Sequence, residues 1–552
     1  MTAWPTPFPP QGIKEFITHT IRDILPYPSR WVAYKALSRP LWHSLMWQRR
    51  VNLLRSYISI GLPWDMVKPP EHQPHLTPVL KQLLKAHRLN RKSLIPKSSD
   101  LSQNDIWFKS AIALSHVLFD CAEGTFSLPN INPQNHRPDT PNVFTAPKRI
   151  LYVSHAWPAD RWNGYAIRTH KIALALAKHG IEVEVFCKPV SPHNLKAQAQ
   201  KTPIGAAGIE TMIYDNITYN RPVIDIQIDG NLTQYLQSYA KAIDDKITSY
   251  RPDIIHAASN FITGLSANIA AKAHALPIVY EVRGLWEITR LATHKAYERS
   301  VGFQAQSRLE TLSVHHAAHV LTLNEPLRTK LVERGAARSK INLLPNCGDT
   351  TPPRGDLTHC NLIKTTCDFG YVGSLTDYEG LFLLIKAFED CCKIKPNIQL
   401  IIAGDGPLTS AIIARIKASP FAQKIRYLEP LSPPDARALT KWLDVCVIAR
   451  LSTPVTRIVP PLKPLTAFSV GTPCILSGLP ALIDYNADID TSLIVKAGNR
   501  KSLSAAMLKL AGNPNLRKKL GQNALGWVQK HRNWDVNAAR LTRIYETLIT
   551  ET

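Results

Sequence analysis

The 552-residue sequence lacks the common cofactor fingerprints. It has no G-x-G-x-x-G, which weakens a nicotinamide-dehydrogenase reading, and no G-x-x-x-x-G-K-[ST], which weakens a P-loop reading. Its nine cysteines include no C-x-x-C pair, so neither a zinc ribbon nor a thioredoxin-type site is expected. The odd count and the chain length argue against a disulfide framework. No apolar run approaches the roughly 18 residues of a membrane span. The opening MTAWPTPFPPQG has no basic segment leading into an apolar core, so no signal peptide is expected. A reducing cytoplasm is the expected compartment.

Acidic residues are scarce: 42 Asp+Glu stand against 66 Lys+Arg, a formal net charge of +24. That excess favours polyanionic partners, whether nucleic acid, an anionic membrane surface or a phosphorylated substrate. The 42 prolines count against a coiled coil, and 25 glycines without a G-X-Y period against collagen. At roughly 150 residues per domain the length predicts three to four domains.

Residues 1–147 differ from the rest. They hold 17 Lys+Arg against 9 Asp+Glu, a net of +8, and six of the twelve tryptophans. Short helices are expected over Ile13–Leu25, Trp31–Leu37, Leu41–Ile60 and Pro78–Leu89, broken by Pro26, Pro28, Pro40 and Pro63. Trp31, Trp42 and Trp47 with Arg30, Lys35, Arg39, Arg49, Arg50 and Arg55 fit either an interfacial membrane surface or a helical accessory domain packed on the body. Residues 129–147, dense in Pro and Asn, read as a linker.

From Lys148 onward, strand and helix patterns alternate. Apolar runs RILYVSHAW, IEVEVFCKP, DIIHAAS, PIVYEVRG, HVLTLNE and KINLLPN occupy the first part, with a helix over Tyr165–His179. Irregular residues 351–365 precede a second series: CDFGYVGSL, NIQLIIAGDG, KIRYLEPL, LDVCVIA, TPCILSGL and TSLIVKAG. Helical pattern then runs from Ser502 to about Ile549. The alternation predicts an α/β fold of two doubly wound parallel-sheet domains, 148–350 and 351–535. A terminal helix over 536–552 and a helical basic extension complete it. A ligand is expected in the cleft, at the carboxyl ends of the strands.

Several residues there suit chemistry. Asn163-Gly164 precedes a helix, and a glycine there lets backbone N–H groups approach an anion; the alternative is an ordinary turn. Arg283, with Glu287 close by, follows a strand, as a phosphate or carboxylate ligand or as half of a surface ion pair. His256 is a general base, a substrate contact or a core histidine. Arg450 ends a strand, and Arg457 and Lys463 follow in a Pro-rich loop opening a helix over Leu462–Val470, a set suited to a diphosphate or else a solvated basic loop.

The ordered set RILYVSHAWP…NGYAIRTHKIALALAKHGIEVEV, DIIHAASN, YEVRGLWE, LTLNEPLRTKLVERGA, KINLLPN, YVGSL…YEGL, IIAGDGP and PPLKPLTAFSVGTP resembles family 4 retaining glycosyltransferases of the GT-B type. The resemblance covers residues 148–549. It implies two Rossmann-like domains, the second binding a nucleotide-sugar donor and the first mostly the acceptor. It implies a terminal helix packed back on the first domain, and transfer with retention, generally without a metal. It places Gly164, Ser374, Glu379, Arg450, Arg457, Lys463 and Thr466 on the donor side and His256, Arg283 and Glu287 with the catalytic, acceptor side.

The sequence departs from the family's common pattern in two places. Where it has two Glu with seven residues between them, Ile458 and Thr466 stand here, and a Thr hydroxyl bonds a ribose oxygen more weakly than a carboxylate. The usual Arg and Lys of G-R-L-x-x-x-K-G become Ser374 and Glu379; a subset of the family carries Y-E-G-L with P-L-K-P.

The resulting expectation is an enzyme that moves a sugar from a nucleotide sugar to a glycan or lipid-linked acceptor in surface polysaccharide biosynthesis. It needs no cofactor or metal, and it is cytoplasmic or peripheral on an anionic membrane face. The alternative is a non-catalytic relative that binds glycans or supports a partner enzyme. A nucleic-acid partner is not expected, because the cations are spread along the chain and no nucleic-acid module is present.

Overall fold

A computed structural model describes residues 106–131, 147–160, 162–192, 208–224, 232–486 and 489–550, together with 82, 83, 86 and 92–95. The expected helices over 13–60 and the tryptophan-rich basic surface lie outside the described residues. Of the expected helix over 78–89, only 82, 83 and 86 are described, and they are helical.

The first domain is an eight-stranded sheet of β1 (Arg149–Ser154), β2 (Glu182–Cys187), β3 (Ile209–Tyr214), β4 (Ile217–Pro222), β5 (Ile254–Ala258), β6 (Ile278–Val282), β7 (His319–Thr322) and β8 (Ile341–Leu343). Its spatial order is β3-β4-β2-β1-β5-β6-β7-β8, parallel except for the β3–β4 hairpin. Its helices are α1 (Ile106–Glu123), α2 (Gly164–Lys178), α3 (Leu232–Tyr250), α4 (Phe261–Ala273), α5 (Trp286–Leu291), α6 (Val301–His316) and α7 (Glu325–Glu333).

Strand β1 shows why a near-continuous apolar run makes a central strand. Leu151 and Val153 enter one hydrophobic cluster and Ile150 and Tyr152 another, so alternate residues serve the helix layers on opposite faces. Asn163, Asn260 and Asn324 end strand-to-helix loops by accepting backbone N–H bonds as helix N-caps.

The second domain has six parallel strands: β9 (Cys367–Val372), β10 (Ile398–Ala403), β11 (Ile425–Leu428), β12 (Val445–Ile448), β13 (Cys474–Ser477) and β14 (Ser492–Val495). Their order is β11-β10-β9-β12-β13-β14. The helices that matter below are α8 (Leu381–Cys392), α9 (Pro454–Ile458), α10 (Lys463–Phe468) and α11 (Trp534–Thr550). The predicted helix over Leu462–Val470 is therefore shorter, and a second helix stands just ahead of it.

Two elements escaped the sequence reading. The β3–β4 hairpin turns through Asp215 and Asn216, both at positive φ. Helix α1, in the extension, packs on α6: Cys121 is buried with Leu236, Leu265 and Leu309 of the first domain. The extension is thus built into that domain over its last described helix.

The chain crosses between domains twice, at 344–349 and at 532–534. The crossings touch where Gly348 N donates to Arg532 O at 2.8 Å. Helix α11 then lies on the first domain, with Trp534, Ala538, Leu541 and Tyr545 in the cluster of Ile172 and Leu176. Among the described residues no helix is long and apolar enough to cross a membrane.

Candidate active site

The carboxyl ends of the two sheets face each other across loop 450–462 of the second domain. Val455, in α9, is buried within the hydrophobic cluster of the first domain, with Ile458, Val459 and Tyr378 packed against it. Val459 also approaches Gly284: a Cβ there would sit 3.5 Å from its Cγ2. A Cβ at Gly164 would sit 3.5 Å from Leu462 Cδ1.

On the second-domain side, Glu379, Arg450 and Lys463 come together. Lys463 Nζ lies 3.1 Å from Glu379 Oε1 and Arg450 Nε 3.4 Å from the same oxygen. Burial opposes ionisation of Glu379, but the charges of Lys463 and Arg450 outweigh it and hold the carboxyl below its ordinary value. The Lys463 ammonium is itself lowered, by burial first, with Glu379 opposing. Two aromatic rings floor the group: Lys463 Nζ is 5.2 Å from the Tyr371 centroid and Arg450 Cζ 5.4 Å from that of Tyr378. Lys463 keeps 21% of its side chain exposed, whereas Arg450 and Glu379 keep 5% and 4%. Lys463 is therefore the member able to reach a ligand.

The other donor-side candidates are dispersed. Arg457 is exposed on α9, with no ion pair among the described residues. Ser374 is exposed, and its carbonyl accepts from Tyr371 Oη at 2.7 Å. Thr466 Oγ1 is turned back to Leu462 O at 3.3 Å, at the N-cap of its own helix. Gly164 opens α2, but Asn163 Oδ1 already takes the N–H groups of Tyr165 and Ala166, so fewer backbone donors face the cleft than the turn alone promised.

Of the first-domain candidates, His256, Arg283 and Glu287 are all buried and engaged by protein partners. Arg283 pairs not with Glu287 but with Glu281, Nη2 to Oε2 at 2.7 Å, and also donates to Tyr165 O and Thr169 Oγ1. Glu287 Oε1 instead accepts from Arg334 at 2.5 Å. His256 stacks on Tyr152 with centroids 4.3 Å apart, and its Nδ1 lies 2.6 Å from Tyr545 Oη in α11.

The organising residue, unmarked in the sequence reading, is Glu281. It is fully buried and accepts from Tyr152 Oη at 2.7 Å, from Arg168 Nε at 2.7 Å and from Arg283 Nε at 2.9 Å. Burial favours its neutral form, but the two guanidinium groups hold the carboxyl well below its ordinary value. His155, after β1, was also missed. It meets Trp286 edge-on at 4.6 Å, and burial together with the Lys188 charge lowers its imidazole to about 3, so it is neutral. Among the described residues no three His, Cys, Asp or Glu side chains form a metal-binding group.

Comparison with known proteins follows the same division. Residues 163–347 match the family described as glycosyl transferase 4-like domain, and residues 361–527 match glycosyl transferases group 1. The chain is 22% identical over 373 residues to the capsular polysaccharide biosynthesis glycosyltransferase CapM of Staphylococcus aureus, spanning 63% of this chain and 90% of CapM. It is 21% identical over 405 residues to D-inositol 3-phosphate glycosyltransferase of Corynebacterium aurimucosum, spanning 70% and 91%. Sucrose-phosphate synthase of Thermosynechococcus elongatus shares the fold, with a TM-score of 0.59 at 18% identity over 73% of this chain and 100% of that one. The Anabaena protein Alr3699/HepE, solved with UDP, has a TM-score of 0.54 at 13% identity over 72% and 100%.

Proposed function

The chain belongs to the group 1 glycosyltransferases of the GT-B type, and from that premise we propose that it transfers a sugar, with retention, from a nucleotide sugar to a glycan or lipid-linked acceptor. The observation that supports this reading is the convergence of Lys463 and Arg450 on Glu379 at the carboxyl end of the second sheet. When the glycosidic bond to the donor breaks, negative charge develops on the departing diphosphate. A fixed, partly desolvated ammonium stabilises that charge more than the ground state. Lys463 fills this role, Arg450 supports it from the buried side, and the exposed Arg457 approaches from the rim. Thr466 is the residue for the donor ribose.

Surface polysaccharide biosynthesis is the favoured setting, supported by the likeness to CapM. Release of nucleoside diphosphate from a panel of nucleotide sugars tests the reaction, with a chelator arm for metal dependence. Magnetic resonance of the glycosidic product reads the anomeric configuration. Inversion would remove the retaining assignment; no release from any donor would remove the donor class. Association with an anionic membrane, through the basic tryptophan-rich segment, belongs to the same proposal. Co-sedimentation of the full chain with and without anionic lipid checks it, and equal recovery would remove it.

A further inference from the structure

The loop that delivers Lys463 is held by three consecutive carbonyls, each taken by a different part of the chain. Val459 O accepts from Arg450 Nη1 at 2.9 Å, Pro460 O from Asn346 Nδ2 at 3.0 Å, and Pro461 O from Tyr485 Oη at 3.1 Å. Arg450 and Tyr485 belong to the second domain. Asn346 lies in the interdomain crossing, and its other amide atom faces the first domain: Oδ1 accepts from Arg168 Nη1 at 3.1 Å. The two partners fix the amide's orientation, because a guanidinium only donates and a carbonyl only accepts.

Arg168 is itself immobilised. It is fully buried, pairs with Glu281, and donates to Leu344 O at 2.7 Å and Pro345 O at 2.9 Å. A continuous set of bonds thus runs from the Glu281 cluster through Arg168 and Asn346 to Pro460, three residues before Lys463. Asn346 is buried, so its polar atoms have no water to fall back on if either partner moves.

We infer that Asn346 is a positioning residue that ties the placement of Lys463 to the relative arrangement of the two domains. It rests on the reading of Lys463 as the donor-phosphate residue. If the second domain swings away, Pro460 leaves the amide and the loop carrying Lys463 loses one of its three anchors. Diphosphate affinity and domain closure are therefore linked through this side chain.

Asn346→Asp separates the two halves of the bridge. It retains an acceptor for Arg168 but sets a carboxylate oxygen against Pro460 O. Asn346→Ala removes both bonds. Calorimetric titration with UDP, GDP and ADP, and small-angle scattering of the full chain with and without them, read the two ends of the linkage. Both variants should bind the preferred nucleoside diphosphate about tenfold or more weakly. Both should scatter as a more open molecule, which saturating nucleotide fails to close to the unaltered protein's dimensions. Unchanged affinity, or unchanged scattering, in folded Asp and Ala variants overturns the inference. If the unaltered protein binds none of the three nucleotides, it is the donor reading that fails. The bridge is then judged by ligand-free scattering, and superimposable profiles overturn it.

Discussion

Lys463 lies across Gly373: a Cβ built on the glycine would stand 2.3 Å from Lys463 Cε. Gly373 also has φ +147, a conformation that L side chains rarely adopt. The missing side chain is the passage through which the ammonium reaches Glu379. Gly373→Ala should therefore displace the lysine, whose flexible tail yields before the strand does. The expected outcome is loss of donor turnover by about tenfold or more with a melting point lowered by only a few degrees. Turnover equal to the unaltered protein would contradict it.

Gly380 gives the contrasting case. It has φ +73, and a Cβ there would stand 2.0 Å from Ala449 O, a rigid backbone atom. Gly380→Ala should destabilise by about 2–4 kcal/mol in urea unfolding, since strain and a clash with backbone add. A cost under about 1 kcal/mol would show that α8 can shift freely.

Removing Lys463 leaves Glu379 with Arg450 as its only charge partner among the described residues. Lys463→Met is expected to destabilise by about 1–3 kcal/mol, the cost of a buried carboxylate left under-compensated. Adding Glu379→Gln should recover part of that stability without restoring turnover. Additive losses in the double variant would mean that the pair does not interact.

Arg457 is exposed and has no ion pair among the described residues, so it has little structural work to lose. Arg457→Ala should leave the melting point within about 1 °C and raise the donor KM by about tenfold. Unaltered KM would remove Arg457 from the donor site.

The alternation of apolar runs with helical stretches made both sheets legible, and the clustering of Arg450 and Lys463 around one helix start was legible too, because local sequence positions both. Glu281 was within reach of the same logic. Glu281 in β6 and Arg283 just past its end lie two residues apart and so on one side of the chain, and His256 sits beside Tyr152 in register. A strand carrying Glu and Arg two apart between apolar residues signals a buried ion pair. Glu287, four residues after Arg283, offers a competing surface partner in the sequence. Arg168 was not legible: nothing in RTHKIALALAK distinguishes a buried arginine from a surface one. Its partners at 281 and 344–346 are far away in sequence. The β3–β4 hairpin was missed because IETMIYDNITYNRP lacks the long apolar run that marks the buried strands.

The buried His256 gives a pH dependence. Burial is the largest influence on its imidazole and lowers it below 6.5, with Glu281 opposing and Arg283 and Arg168 adding to the lowering. The unfolded chain therefore binds a proton below about pH 6.5 that the folded chain refuses, and stability falls as pH drops through that point. His256→Asn should make the decline between pH 6.5 and 5.5 shallower by up to about 1.4 kcal/mol per pH unit. Parallel urea-unfolding profiles for both proteins would contradict this.

The proposed function turns on Lys463 meeting the diphosphate of a nucleotide sugar in the interdomain cleft. Calorimetric titration of nucleotide sugars into the unaltered protein and into Lys463→Ala tests it most directly. Saturable binding of at least one nucleotide sugar is expected, weakened about 100-fold in the variant at an unchanged number of sites. Equal affinity in both proteins would contradict it.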